Sequence, residues 1–537
     1  MAAVKAPSDL VDTTTADALA EKKKLQKHFA RFDILFFLLC TIVGLDTLGA
    51  VASNGPQAFT WLVFLALFFF VPYALLTAEL GTAFPMEGGP YIWTRLAFGR
   101  LVAAVNSLVY WISNPIWVGG TLGITALTAV QEFFNNGNHL PGPKILGGAS
   151  VLDVLFVLLF IWFAVIAAIV SFQVGKWVPT VGAFVRILVL GFFTLSVVIY
   201  AIKNGIHDTF SAGKFLPSYA IFIAAVPVLI FNYVGFELPN AAGEEMKNPQ
   251  RDVPFSVARS AVGSVLLYGF PILAILALLP VRQVTGLSGF LAAIKSVFTV
   301  YGGHVTANGT PVLTGAGQIL GYLMAIAFIL ALVTSGTTWI MGADRAQAMA
   351  ALDGAAPRVL GRFSARFGTP IAVNLLSGTV ATIVMVLAFT ITGGNTLKYF
   401  TVVLGLVIST TTISYIVIFP ALIKLRYSHP HVSRPYRVPG GMTGVWIAGV
   451  LCTFWAVLAT IVLIYPGFGV NWFGQHGNPD DSLPSGFTRM QFELSQIIPL
   501  AIFIVAGILF YVAGSRTRSH AVQIPIEEEA GLTAGRA

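Results

Sequence analysis

The sequence predicts an all-α integral membrane protein of twelve spanning helices, with the first and the sixth interrupted. Three observations carry that prediction. Of 537 residues, 56% are hydrophobic and only 10% charged, against about 25% charged in soluble domains. The apolar residues fall into long runs, most of them near the roughly 20 residues that cross a bilayer as a helix. Two of those runs hold a glycine and a carboxylate at mid-depth, positions where a continuous lipid-bound helix has no use for either.

The runs lie near 33–53, 58–82, 100–134, 150–171, 177–202, 217–246, 258–281, 316–341, 370–392, 396–424, 444–466 and 491–513. An even count puts both termini on one side. Of the 31 Lys and Arg, 23 fall in the N-tail, the even-numbered loops and the C-tail, seven in the odd loops, and Arg186 alone within a span. That skew orients both termini to the cytoplasm of a multi-pass plasma-membrane protein. The net charge of +8 then records topology, not nucleic-acid binding.

Residues 1–32 read as a polar cytoplasmic lead-in with no cleavage pattern. Residues 514–537 read as a second tail, acidic at Glu527 to Glu529. The longest outer loops, 282–315 and 467–490, show little sign of a separate domain. Asn308-Gly309-Thr310 fits a glycosylation sequon there, with chance as the plainer reading. Cys40 and Cys452 both sit in apolar runs, which speaks against a disulfide framework. All eight histidines lie in loops or tails, so neither a metal nor a cofactor is expected.

The two interrupted runs share a pattern. Val43-Gly44-Leu45-Asp46 matches Val234-Gly235-Phe236-Glu237, and Pro239 and Asn240 follow the second. Interrupted helices at corresponding places in two halves point to a transporter's substrate site. Five helices separate the two breaks, so the second half would be inverted: 33–202 and 217–424 as repeats, 444–513 as two added helices. Half-helix N-termini suit a substrate carboxylate, and unwound carbonyls suit an ammonium or a cation.

The loops carry a family resemblance. "EEMKNPQRDVP" after span 6 resembles the E-x-x-N-P-x-R-x-x-P signature of the amino acid–polyamine–organocation transporters. "PMEGGPYIW" after span 2, Arg345 to Pro357 after span 8, and "RPYRVPGG" before span 11 are similar to that superfamily's other loops. "NYVGFE", "NPDDS" and "FELSQIIPLAIFIVAGILFY" look nearest to its glutamate/GABA antiporter branch. The resemblance implies a LeuT-type fold and alternating access. The chain departs from the family where Gly44-Leu45-Asp46-Thr47-Leu48-Gly49 replaces a G-S/T-G-I-F-like break. The short C-tail also speaks against an acid-sensing plug.

The candidate site follows from these elements. Gly44, Asp46, Thr47 and Gly49 lie at the first break, Tyr233, Gly235, Phe236 and Glu237 at the second, and Asn114 on span 3. Asp46 and Glu237 are read as amine ligands or proton carriers, with capping of the broken backbone as the structural alternative. Tyr233 and Phe236 would form an aromatic gate, whereas Trp111 and Trp117 are more often packing. Arg186 lies ten residues after Lys176, roughly 15 Å along a helix. Arginine keeps its proton, so Arg186 is a fixed counter-charge or a structural pair. It falls about one turn short of the span-5 lysine that replaces sodium in some relatives. Thr334 and Ser335 match the hydroxyl pair of sodium-coupled members, though hydroxyls also bond back to their own helix. Glu79, Glu87, Glu244 and Glu245 read as charges holding the cytoplasmic loops.

The expected function is therefore secondary transport of an amino acid or a derived amine, by exchange or with protons and without sodium. The alternatives are a polyamine or cationic amine carrier and a non-transporting nutrient sensor. No nucleophile set, metal cluster or cofactor motif supports an enzyme.

Overall fold

The computed structural model describes residues 11–525 apart from 23–24, 26, 175–176, 206–211, 279–288, 307, 392–395, 475 and 484–486. The acidic stretch Glu527 to Glu529 lies outside them. Among the described residues, ten helices are long and apolar enough to cross a membrane. In chain order with the shorter pieces, the helices are α1 (Ala16–Lys22), α2 (Arg31–Ile42), α3 (Leu48–Ala52), α4 (Pro56–Ala83), α5 (Pro90–Phe98), α6 (Arg100–Phe134), α7 (Val151–Val174), α8 (Trp177–Asn204) and α9 (Tyr219–Phe231). There follow the 3-10 helix α10 (Leu238–Glu245), then α11 (Pro249–Leu278), α12 (Gly289–Phe298), α13 (Gly315–Leu352), α14 (Ile371–Ile391), α15 (Thr396–Ser428), α16 (Gly441–Ile464) and α17 (Arg489–Ala513). Large apolar side chains such as Leu67, Leu159, Phe163 and Leu188 remain exposed on this bundle, as lipid-facing positions do.

The interruptions fall where glycine and carboxylate met in the sequence. Helix α2 ends at Ile42 and α3 begins at Leu48; α9 ends at Phe231 and α10 begins at Leu238. Two helices differ from expectation in length. Helix α11 starts at Pro249 and α13 runs on to Leu352, because Asp252, Asp344 and Arg345 are buried among partners and so do not end the helix. The loop 282–315 holds the helix α12 and a hairpin of Gly303–Val305 with Pro311–Leu313.

Broken helices leave backbone groups without intrahelical partners, and such groups must be satisfied inside the protein. Side chains from three other helices meet that need at the first break. Tyr268 on α11 donates its hydroxyl to Ile42 O at 2.7 Å and accepts from Gly44 N at 2.7 Å. Trp339 on α13 donates to Thr41 O at 3.1 Å, and Arg186 on α8 to Val43 O at 2.8 Å. At the second break Gly235 adopts φ 122°, a conformation open to glycine. A Cβ there would also lie 2.5 Å from Thr41, so the two breaks cross in near contact.

One face, the terminal face, carries the first and the last described strands. Strand Val11–Thr15 pairs antiparallel with Ala521–Pro525, and Thr15 Oγ1 donates to Leu352 O at 2.7 Å. On that face the loop 85–89 presses on α10, with Gly88 N donating to Ala241 O at 2.9 Å. Glu79 anchors the last turn of α15 through Arg426 (2.5 and 2.7 Å) and the chain after it through Val438 N (2.7 Å). Asp353 gathers Arg95, Arg100 and Tyr91 at 2.9, 3.0 and 2.7 Å.

Candidate functional site: two broken helices and a buried guanidinium

A chamber of about 10 Å³ lies at the first break, lined by Gly44, Asp46 and Thr47, by Trp117, Phe231 and Trp339, and by Asn232 and Tyr268. That volume holds about one water, so a substrate enters only as these side chains part. Toward the face away from the termini lies a wider cavity of about 480 Å³, bounded by Ser53, Pro227, Phe400, Leu404 and Asp481. Phe231 lines the chamber one turn from Pro227 and Val228, which line the wider cavity.

Asp46 is 2% exposed. Its Oδ2 accepts from Trp117 Nε1 at 3.0 Å, while Oδ1 has no hydrogen-bond partner. Thr47 Oγ1 donates to Asn232 Oδ1 at 2.5 Å, leaving Asn232 Nδ2 without a partner. Trp117 meets Phe231 and Trp339 edge-on, each at 6.0 Å between ring centroids. The chamber is thus an aromatic box with one free carboxylate oxygen and one free amide donor. A buried oxygen of this kind loses its hydration with nothing in return, which makes it a place for a ligand's donor.

Glu237 has a different setting. Tyr110 and Tyr415 each donate to Oε1 at 2.8 Å, and Tyr73 donates to Oε2. The Tyr73 hydroxyl also accepts from Gly235 N and Phe236 N at 3.1 and 3.0 Å. The second break is thereby tied to α4, α6 and α15. Tyr233 and Phe236 stack on Phe70 of α4 at 4.5 Å, away from the chamber lining. Asn114 bonds back to Tyr110 O at 3.3 Å, and Gly49 lies within α3. The aromatic walls at the first break are instead Trp117, Phe231 and Trp339.

Arg186 is 1% exposed, and five hydrogen bonds surround its guanidinium. The acceptors are Val43 O, Gly182 O (2.7 Å), Ala331 O (2.7 Å), Thr334 Oγ1 (3.2 Å) and Ser335 Oγ (2.7 Å). The structure brings Arg186, Thr334, Ser335 and the first break to one point. Gly182 permits the approach, since a Cβ there would lie 2.6 Å from Thr334 Oγ1 and Cys40 Sγ. Asp46 forms no ion pair among the described residues.

At the terminal face Arg345 pairs with Glu87 and with Glu245 (2.8 Å). Burial pushes the Glu87 carboxyl up to about 7, against the pull of Arg345. Sequence reasoning missed Asp344, which accepts from Trp111 (2.9 Å), Asn374 (2.7 Å) and Ser377 (2.7 Å) and ties α6 to α13 and α14.

This architecture accords with the family evidence. A sequence model of the amino acid permease family matches residues 29–474. The chain belongs to the amino acid permease family. It is similar to a protein of Lactococcus lactis named a probable agmatine/putrescine antiporter, 26% identical over 94% of this chain and 97% of that one. The branched-chain amino acid permease of Bacillus subtilis is 22% identical over 84% of this chain and 90% of its own. The glutamate/gamma-aminobutyrate antiporter of Lactococcus lactis is 20% identical over 91% and 90%. This permease is therefore a multi-pass membrane protein and a secondary transporter of amino acids or amines; its family and these relatives are transporters, not enzymes.

Proposed function

We propose that this permease exchanges small cationic amines by alternating access, without sodium. The observation that carries the reading is Asp46 Oδ1, an acceptor without a partner inside an aromatic box. An ammonium or guanidinium supplies both the charge and the donors that this oxygen lacks, and the faces of Trp117 and Trp339 favour cations. A substrate carboxylate would meet Asp46 directly, and Gly44 N already bonds to Tyr268. The relative named as an agmatine/putrescine antiporter supports the same class.

Arg186 takes the place of a coupling ion. Backbone and hydroxyl oxygens from the first break and α13 converge on its guanidinium, and oxygen ligands of this kind suit a hard cation. A charge fixed by covalent attachment cannot travel with the substrate, so exchange needs no ion gradient. Glu237 holds the second break through its three tyrosines and, with Asp46, carries the coupling between the helix pieces.

The architecture behind this is a twelve-helix LeuT-type arrangement. Residues 33–202 and 217–424 form inverted repeats, 444–513 add two helices, and both termini lie on the cytoplasmic side of the plasma membrane. The test is counterflow in sodium-free proteoliposomes with labelled putrescine, agmatine, arginine, glutamate and neutral amino acids. Putrescine or agmatine accumulates, and Asp46→Asn abolishes it. Accumulation of glutamate or neutral amino acids alone, or undiminished amine counterflow in the variant, overturns the reading.

A further inference from the structure

Three carboxylates meet at the terminal face: Glu244 and Glu245 on α10 and Glu87 on the facing loop, with Glu87 N donating to Glu244 Oε1 at 3.2 Å. From the bundle, Arg345 bridges Glu87 and Glu245. Lys22 Nζ of α1 lies 2.7 Å from Glu244 Oε1, with its side chain only 7% exposed. His28 Nε2 stands 3.4 Å from Glu245 Oε2. Two buried acceptors in this cluster, Glu87 Oε2 and Glu245 Oε2, have no hydrogen-bond partner.

Backbone contacts seat the N-terminal segment. His28 N and Phe29 N both donate to Glu245 O at 3.0 Å, and Lys247 N donates to Phe29 O at 2.8 Å. Glu21 accepts from Phe363 N at 3.1 Å, beyond the end of α13. Helix α10 is the terminal-face half of the second broken helix. Opening toward that face requires α10 to part from α13, and the segment is bonded to both sides of that seam.

We propose that this acidic mouth is a second binding site for a primary ammonium group and that Lys22 occupies it as a tethered competitor of the incoming amine. The ligand class rests on the amine reading above; the docking of the segment does not. A short tether gives an effective concentration on the order of millimolar, so a competing amine must exceed that to displace it. The ammonium of an alkylamine or diamine matches Lys22 Nζ in charge and donor count.

The experiment places a spin label on the exposed face of α1 through Ala20→Cys in the full-length protein. Docked, the label reports a restricted spectrum. Putrescine at millimolar concentration sharpens it, sodium chloride of equal ionic strength does not, and Lys22→Gln gives the sharp spectrum without amine. In sided proteoliposomes Lys22→Gln lowers the half-saturating putrescine concentration on the terminal face about fivefold and leaves the opposite face unchanged, while Lys22→Arg behaves as wild type. A spectrum unmoved by putrescine and by Lys22→Gln overturns the proposal, as does an equal change on both faces. Displacement by putrescine in a protein that transports no amine leaves this site standing and removes the transport reading instead.

Discussion

The two breaks carry the same local pattern, a glycine and two residues later a carboxylate, yet the two carboxylates have opposite surroundings. Asp46 keeps one oxygen free in a closed aromatic chamber. Glu237 receives hydroxyls from Tyr73, Tyr110 and Tyr415 on three separate helices. A buried acceptor left open invites a ligand, whereas a saturated one fixes geometry. One pattern therefore serves two tasks: the first break binds and the second holds the hinge.

The largest expected effect separates both breaks from the cation that supports the first. Arg186→Ala takes the guanidinium donor from Val43 O, removes one of two side-chain donors from Ala331 O and strips the buried cluster of its charge. A buried acceptor left unsatisfied costs about 1–3 kcal/mol and the emptied space adds to that, so thermal unfolding falls by several degrees and exchange is lost. Because the vacated space is ringed by oxygens, sodium raises the unfolding temperature of Arg186→Ala and leaves that of wild type unchanged.

Asp46→Asn comes next. It lowers kcat/KM for amine exchange by at least about 100-fold, roughly 2.7 kcal/mol. Thermal stability changes little, since the amide oxygen still accepts from Trp117. Glu237→Gln inverts that balance: its NH2 replaces the oxygen facing the Tyr73 hydroxyl, and the loss of a hydrogen bond to a charged group costs about 2 kcal/mol. Unfolding temperature drops while the ranking of substrates is preserved. A Glu237→Gln variant with altered selectivity and unchanged stability would erase the distinction between the breaks.

The smallest effect is set by pH at the terminal face. Glu87 has its carboxyl raised from 4.5 to about 7 by burial, with Arg345 opposing and Glu244 adding to the rise. The buried state therefore binds the proton more tightly than an exposed one. Its support for the closed mouth is present at low pH and fades as pH climbs from about 4.5 through 7. Accessibility of the terminal face to a charged thiol reagent, read at an introduced cysteine, rises a few-fold across that window. Glu87→Gln lessens the dependence.

Much of this was legible in the sequence, and the reason is lipid. A carboxylate or guanidinium inside an apolar run has few innocent explanations, so Asp46, Glu237 and Arg186 stood out, and Gly44 and Gly235 marked the breaks. The chemistry of Arg186 with Thr334 and Ser335 was half visible: the hydroxyl pair was recognised, but only the fold brings α8 and α13 together. Tyr73, Tyr110 and Tyr415 were not visible at all. A tyrosine in a membrane helix is ordinarily an interface anchor, and these lie 164, 127 and 178 residues from Glu237. Trp339 and Phe231 were hidden for the same reason, and Asp344 falls just past the expected end of span 8 near 341, where no pattern singles it out. The pairing of Val11–Thr15 with Ala521–Pro525 joins the first and the last described strands, and no local pattern announces it.

The most direct test is equilibrium binding of putrescine to purified protein in sodium-free buffer, by calorimetry, for wild type, Asp46→Asn and Glu237→Gln. The free oxygen at the first break predicts that, below the millimolar putrescine that fills the terminal-face site, wild type and Glu237→Gln bind and Asp46→Asn does not. Binding retained by Asp46→Asn and lost by Glu237→Gln would place the substrate at the second break and contradict the account.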